Sequence, residues 1–266
     1  MEREQYELMF RQEERHWWYA GMRRITAALL DSTTIQNLAR EHAREAGVAD
    51  ILDAGCGSGG TSRFLERWGR VTGVDLMADA LTFARERGMS RLIRGSVTDL
   101  PFADASFDIV TSFDVLYHLG VSSDARAFSE LLRVVRPGGL LLIRLPAYNW
   151  LRGAHDVAVH TRHRYTRGEL TLKLQDAGFR VEHTTYANSL LFPLAPVKRL
   201  LERRGTSAAV QDLWQPPGPI NRLLTDLVGA EARIAAGPGL AWGLSIFGLA
   251  RRVQGWDARA DTGIAL

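Results

Sequence analysis

The residues best suited to chemistry lie in two groups. The first is Asp53-Ala-Gly55-Cys56-Gly57-Ser-Gly59-Gly60, with Asp75 following twenty residues after Gly55. Glycines at such spacing let the backbone turn tightly and approach a ligand that any Cβ would obstruct. An acid at the end of the next strand would accept hydrogen bonds from both hydroxyls of a ribose. A nucleotide-containing cofactor is therefore expected, and two classes fit. Gly55, Gly57 and Gly60 satisfy a dinucleotide fingerprint. Asp53, two residues before the first glycine, would repel a pyrophosphate but suit a cationic amino group, or it could orient the loop. Cys56 reads as a small filler of the loop rather than a reactive thiol.

The second group consists of histidines and tyrosines placed after strands. His118 follows the fourth expected strand, and its ordinary pKa suits a base near neutral pH. His160, His163 and Tyr165 follow the fifth, where they could supply a base or, with Arg162 and Arg164, grip an anionic acceptor. Packing roles and ordinary surface ion pairs are the alternatives for all of them. The histidines show no HxxxH or HExxH spacing, so no metal site is expected.

The elements that must position these residues alternate. Strands are expected at Ile51–Ala54, Val71–Leu76, Arg91–Arg94, Phe107–Phe113, Leu140–Leu145 and Phe179–Tyr186. Helices between them cover Thr61–Trp68, Ala78–Arg87, a run from Ser123 to Arg136, and a helix opened by the Thr166/Glu169 capping box. This order implies a parallel α/β sheet that binds ligands at the carboxyl ends of its strands. Helices at Glu2–Tyr19 and Thr34–Ala46 precede it. Between Asn188 and Gly239 the rhythm breaks into a proline-rich, helical stretch with a basic helix around Val197–Arg204. Leu240–Arg251 then returns to the sheet as an expected last edge strand.

Composition narrows the function classes. The chain has 266 residues and a single cysteine, which excludes an intrachain disulfide and suits a reducing, cytoplasmic compartment. The net charge of +3 comes from 33 basic residues, only Lys173 and Lys198 being lysine. The arginines are spread out and usually neighbour acids, so no nucleic-acid groove is expected. The first fifteen residues are charged throughout, unlike a secretory leader. Residues 189–204 join an apolar start to a basic end and read as an acceptor-side lid, a membrane-skimming surface or a packed insertion.

In order and spacing, DAGCGSGG (Asp53–Gly60), VTGVDL (Val71–Leu76), GSVTDLPF (Gly95–Phe102), SFDIVTSFDVLYHL (Ser106–Leu119) and LLRVVRPGGLLLI (Leu131–Ile143) resemble the class I S-adenosylmethionine-dependent methyltransferases. HWWYAGMRR (His16–Arg24) and HRYTRGEL (His163–Leu170) resemble a bacterial small-molecule subgroup of them. The resemblance implies a Rossmann-like seven-stranded, mostly parallel sheet with helices on both faces and an antiparallel last strand. It also implies a helical cover at 1–49, a core at 50–188, a helical insertion at 189–239, and a final strand and tail at 240–266. S-adenosyl-L-methionine would be the cofactor. Gly55, Gly57 and Gly59 would line its methionine part, with Tyr19 at the carboxylate, Asp75 at the ribose and Leu76 on the adenine. Ser96, Val97 and Asp99 would lie at the adenine edge, Ser96 standing where many relatives carry an Asp. Phe113 and His118 would border the methyl group.

Candidate catalytic residues on this reading are His118, His163 and Tyr165, acting on a natural-product, glycan or lipid-linked small molecule through O, N or C. Methyl transfer from a sulfonium is an in-line displacement, in which alignment alone can be worth up to about 7–11 kcal/mol. The rival readings are an NAD(P)-dependent oxidoreductase and a catalytically silent cofactor-binding module.

Overall fold

A computed structural model describes residues 3–31, 48–196 and 216–253. The N-terminal segment forms two helices rather than one, α1 (Arg3–Gln12) and α2 (Trp17–Leu30). The break falls at Glu13–His16, and His16 caps α2 by accepting from the Trp18 N–H through Nδ1. The expected helices at Thr34–Ala46 and Val197–Arg204 lie outside the described residues.

The alternating segment runs β1 (Ala49–Ala54), α3 (Gly60–Leu65), β2 (Gly69–Asp75), α4 (Ala78–Glu86), β3 (Leu92–Arg94) and β4 (Phe107–Phe113). It continues through α5 (Asp124–Val134), β5 (Val135–Pro146), α6 (Ala154–Ala158), α7 (Arg167–Asp176) and β6 (Phe179–Ala187). Helices α8 (Gly218–Ala230) and α9 (Ala232–Ala236) precede β7 (Ser245–Arg252). Both N-caps form as expected, but the Thr166/Glu169 box is one-sided, the Glu169 carboxylate lying on His163 instead of returning to the cap. Ser123 Oγ accepts from the Arg126 N–H at the start of α5, and Thr166 Oγ1 from the Glu169 N–H at the start of α7.

The seven strands form one sheet in the order β3-β2-β1-β4-β5-β7-β6. The first five in that order are parallel, and β7 runs antiparallel to both neighbours. The expectation of a last edge strand is therefore corrected. β7 fills the gap between β5 and β6, and β6 is the edge. Its residues Ser245–Ala250 are all buried, which suits a central strand and not an edge. Every residue of β4 is likewise buried.

Two cores back the sheet. On one face Phe128, Leu131 and Leu132 of α5 and Leu170 and Leu174 of α7 pack against Val110, Leu141 and Ile143. On the other, Met22, Ile25 and Leu29 of α2 join Val228 and Ala235 of α8 and α9 over Ile109, Leu140, Leu142 and Phe247. Helix α2 and the late helices α8 and α9 thus form one layer on that face, while α1 packs apart from it on α4.

Candidate active site

The carboxyl ends of β1, β2 and β4 meet around the glycine turn. Gly55, Gly57 and Gly59 have φ values of 90°, 53° and 84°, the left-handed region that side chains rarely adopt. A Cβ at Gly55 would lie 2.2 Å from Val115 Cγ2, so packing also requires glycine there. The loop hangs on Asp75. Its Oδ2 accepts from the Gly57 N–H at 2.9 Å and its Oδ1 from the Met77 N–H at 2.9 Å. Burial raises the Asp75 pKa, opposed by these backbone bonds. Each oxygen keeps lone-pair capacity beyond its one backbone bond. Beside it, Leu76 is 49% exposed, an apolar surface next to a ribose-type acceptor.

Asp53 is a brace. Ser62 Oγ donates to its Oδ2 and Thr111 Oγ1 to its Oδ1 (3.0 Å), tying β1 to α3 and β4. At 2% exposure, with a hydroxyl on each oxygen, the carboxylate has the position of a residue that orients the loop. Cys56 is the expected filler: it is buried, its Sγ lies 2.9 Å from where a Gly73 Cβ would sit, and burial pushes the thiol pKa well up.

Ser96, Val97 and Asp99 form a turn closed by the Asp99 N–H donating to Ser96 O at 3.1 Å. Ser96 Oγ bonds the Thr98 hydroxyl at 2.8 Å and Asp99 is exposed, whereas the Val97 side chain turns into the core. Val97 can therefore meet a ligand only through its peptide group.

At the end of β4, Phe113 is buried with its ring 6.4 Å from that of Phe247. His118 lies after the strand, stacked on Tyr117 with centroids 4.2 Å apart. Its Nδ1 lies 2.8 Å from Val159 O, and only a protonated nitrogen satisfies a carbonyl, so Nε2 carries the lone pair. Burial lowers the pKa of this ring. The lowered pKa favours the neutral ring, in which Nε2 is the basic nitrogen.

The other two candidate catalytic side chains are hydrogen-bonded within the protein. His163 has both nitrogens engaged: Nε2 lies 2.8 Å from Glu169 Oε1, and Nδ1 lies 2.9 Å from Asn149 Nδ2. A ring that donates to a carboxylate and accepts from an amide has no lone pair left for a substrate proton. Tyr165 is fully buried, its hydroxyl 3.1 Å from Asp124 Oδ2 and 3.4 Å from Leu116 O. Burial, followed by the Asp124 charge, raises its pKa. Both residues build the segment after β5. So does Arg164, which pairs with the buried Asp156 at 2.7 Å.

Two buried ion pairs escaped the sequence reading. Arg144 of β5 grips Asp114 through Nη2 (2.6 Å) and Nε (2.8 Å). Its guanidinium carbon lies 4.8, 5.1 and 5.7 Å from the ring centres of Trp18, Phe113 and Phe247. Tyr19 feels the charges of Glu13, Asp114 and Arg144, and burial raises its pKa. The second pair is Glu13–Arg87, at 3.1 Å with both side chains 6% exposed. A lone arginine inside the apolar run Leu140–Leu145 was the available signal for the first pair. Glu13 offered none.

Among the described residues no group of three His, Cys, Asp or Glu side chains is arranged to hold a metal ion. No helix among them is long and apolar enough to cross a membrane.

Residues 52–143 match the family model described as a methyltransferase domain. A Mycolicibacterium smegmatis protein named as a probable S-adenosylmethionine-dependent methyltransferase is 38% identical over 140 residues, 51% of this chain and 53% of that protein. The malonyl-[acyl-carrier protein] O-methyltransferase of Pectobacterium atrosepticum is 43% identical over 96 residues, 34% of this chain and 36% of its own. The chain thus spans about half or less of the length of these curated relatives. An S-adenosylmethionine-dependent methyltransferase structure from Mesorhizobium loti shares the fold with a TM-score of 0.51 at 21% identity, covering 84% of this chain and 100% of that one.

Proposed function

From residues 52–143, a methyltransferase domain of the class I S-adenosylmethionine-dependent family, we infer that this protein moves a methyl group from S-adenosylmethionine to a small-molecule acceptor in the cytoplasm. The observation that carries the reading is the Asp75–Gly57 bond, which sets a ribose-type acceptor beside three left-handed glycines. The residues present suit the cofactor. Asp75 has acceptor capacity for two hydroxyls, Leu76 offers an apolar face for a purine, and the glycines leave room for a chain against the backbone. When bound, the cofactor supplies an electrophilic methyl group whose leaving sulfur becomes neutral.

The protein's own part is alignment, exclusion of water and, for a hydroxyl or ammonium acceptor, removal of one proton. His118 Nε2 suits that last task, because its neutral form persists to lower pH than an ordinary imidazole's. The acceptor's apolar part would rest on an aromatic surface past the ends of β5 and β6. There Tyr148 stacks on Tyr186 at 5.2 Å, and Trp150, 55% exposed, meets Phe192 edge-on at 6.0 Å.

Titration calorimetry tests the reading with S-adenosylhomocysteine and NADH as ligands. Binding of S-adenosylhomocysteine without binding of NADH is expected. The reverse pattern overturns the assignment.

A further inference from the structure

β5 and β6 both run antiparallel to β7, so β6 ends on the same side of the sheet as the glycine turn. Asn188 is the first residue past that end. It holds a left-handed backbone (φ 59°), which asparagine tolerates, and it is 2% exposed. Glu231, also 2% exposed, stands at the joint between α8 and α9. The turn after β6 connects the two residues. Glu231 Oε1 accepts from the Leu190 N–H at 2.8 Å, two positions beyond Asn188.

Beyond that bond both side chains are unsatisfied. Glu231 Oε2 and Asn188 Oδ1 are buried and have no hydrogen-bond partner. No basic side chain among the described residues pairs with Glu231. A buried carboxylate without a counter-charge is costly, and buried polar atoms are nearly always bonded. Both open atoms are acceptors, so the missing group is a donor. Beside a carboxylate, a cationic donor gains most. The cofactor cradle lies elsewhere. β6 is the sheet edge, four strand spacings or about 19 Å from β1.

The same turn carries the aromatic surface on which the acceptor's apolar part would rest. The Phe192 N–H donates to Ser189 O at 3.2 Å, and the Phe192 ring meets Tyr148 at 5.6 Å and Trp150 at 6.0 Å. Ser189 Oγ donates to Trp242 O, which ties the turn to the segment before β7. Four residues, Ser189 to Phe192, thus join two unmatched buried acceptors to an aromatic face.

We propose that Glu231 and Asn188 form the amine-binding end of the acceptor site, so that the acceptor is a cationic amine carried on a flat apolar body. The ammonium donates to Glu231 Oε2 and Asn188 Oδ1 while the body lies on Tyr148, Trp150 and Phe192. This names the acceptor class of the reaction inferred above and rests on that reading.

The test is titration calorimetry on the full chain saturated with S-adenosylhomocysteine and on its Glu231→Gln variant. The probes are phenethylamine, tyramine and tryptamine, each paired with the alcohol in which a hydroxyl replaces the amino group. At least one amine is expected to bind about tenfold more tightly than its alcohol, the effect of a charge-assisted hydrogen bond. Glu231→Gln can keep the Leu190 bond, so its ligand-free melting temperature should hold or rise while the amine's advantage falls to within twofold. Asn188→Gly accepts the same backbone conformation and should weaken that amine about fivefold and its alcohol by less than twofold. Amines that bind no better than their alcohols overturn the proposal, since a water trapped between the two oxygens predicts that result. A preference that survives Glu231→Gln, or equal weakening of amine and alcohol by Asn188→Gly, overturns it as well. If the unaltered chain fails to bind S-adenosylhomocysteine, the methyltransferase reading falls, and the same titrations without that ligand still read the amine site.

Discussion

Arg144 and Asp114 form a pair whose removal can be priced from its surroundings. The arginine side chain is 6% exposed and the aspartate 23%, so the cation is the costlier of the two to strand. Breaking a buried pair by deleting one partner costs about 3–5 kcal/mol. For Asp114→Asn the low end applies, about 3 kcal/mol. The amide can still accept one hydrogen bond, and Trp18, Phe113 and Phe247 face the guanidinium. Asparagine also tolerates the left-handed backbone of Asp114, with φ 57°, so the change adds no strain. Arg144→Met keeps the volume and strands only a partly hydrated carboxylate, for about 2 kcal/mol. The double variant loses both charges at once and should cost about 2–3 kcal/mol, well short of the sum. The assay is a double-mutant cycle in urea with midpoints read at constant slope. In melting temperature, Asp114→Asn should lose roughly 6–12 °C, at about 2–4 °C per kcal/mol for a chain of this size. If the double variant costs the sum of the singles within about 0.5 kcal/mol, the two charges are uncoupled and the reasoning fails.

Four further outcomes follow from the site. His118→Ala should lower kcat with little change in S-adenosylhomocysteine affinity. In the unaltered protein, because burial lowers the His118 pKa, the rate should hold flat as pH falls through the ordinary histidine value of about 6.5 and decline only below it, as read in a pH–rate profile. Tyr165→Phe should cost about 1 kcal/mol in urea denaturation through the lost Asp124 bond and leave methyl transfer unchanged. Gly59→Ala combines a φ of 84° with a new Cβ 3.0 Å from both Ala84 Cβ and Met89 Sδ, so a loss of at least about 2 kcal/mol is expected in the same assay.

The cradle was legible because all its parts are local. A glycine turn, the strand before it and the acid ending the next strand lie within 25 residues and use backbone conformations only glycine supplies readily. The same holds for the caps at Ser123 and Thr166. What the sequence could not show depended on partners. His163 and Tyr165 have the right types in the right region, but Glu169, Asn149 and Asp124 consume their polar atoms. No pattern near Glu13 announces Arg87, which lies on another helix end, or Ser58 in the glycine loop. The last strand was recognised by its apolar run, yet periodicity cannot say which neighbours a strand will pair with. β7 is flanked by two strands that each meet it antiparallel, a long-range choice made by the whole sheet.

That placement of β7 bears on how the chain is made. One edge of β5 pairs with Ser245–Arg251, so it stays open while about 100 further residues are synthesised. At 5–20 residues per second the wait is roughly 5–20 s. Over that interval Leu140–Leu145, among the most apolar runs in the chain, offers unpaired backbone to any neighbouring nascent strand. The nucleotide-binding half, β1 to β4, has all its pairings available before then, whereas β5 and β6 cannot close on each other without the strand between them. Synthesis should therefore pass through a chain with a ready cofactor half and an unsealed acceptor half, the stage at which a holdase chaperone has most to bind.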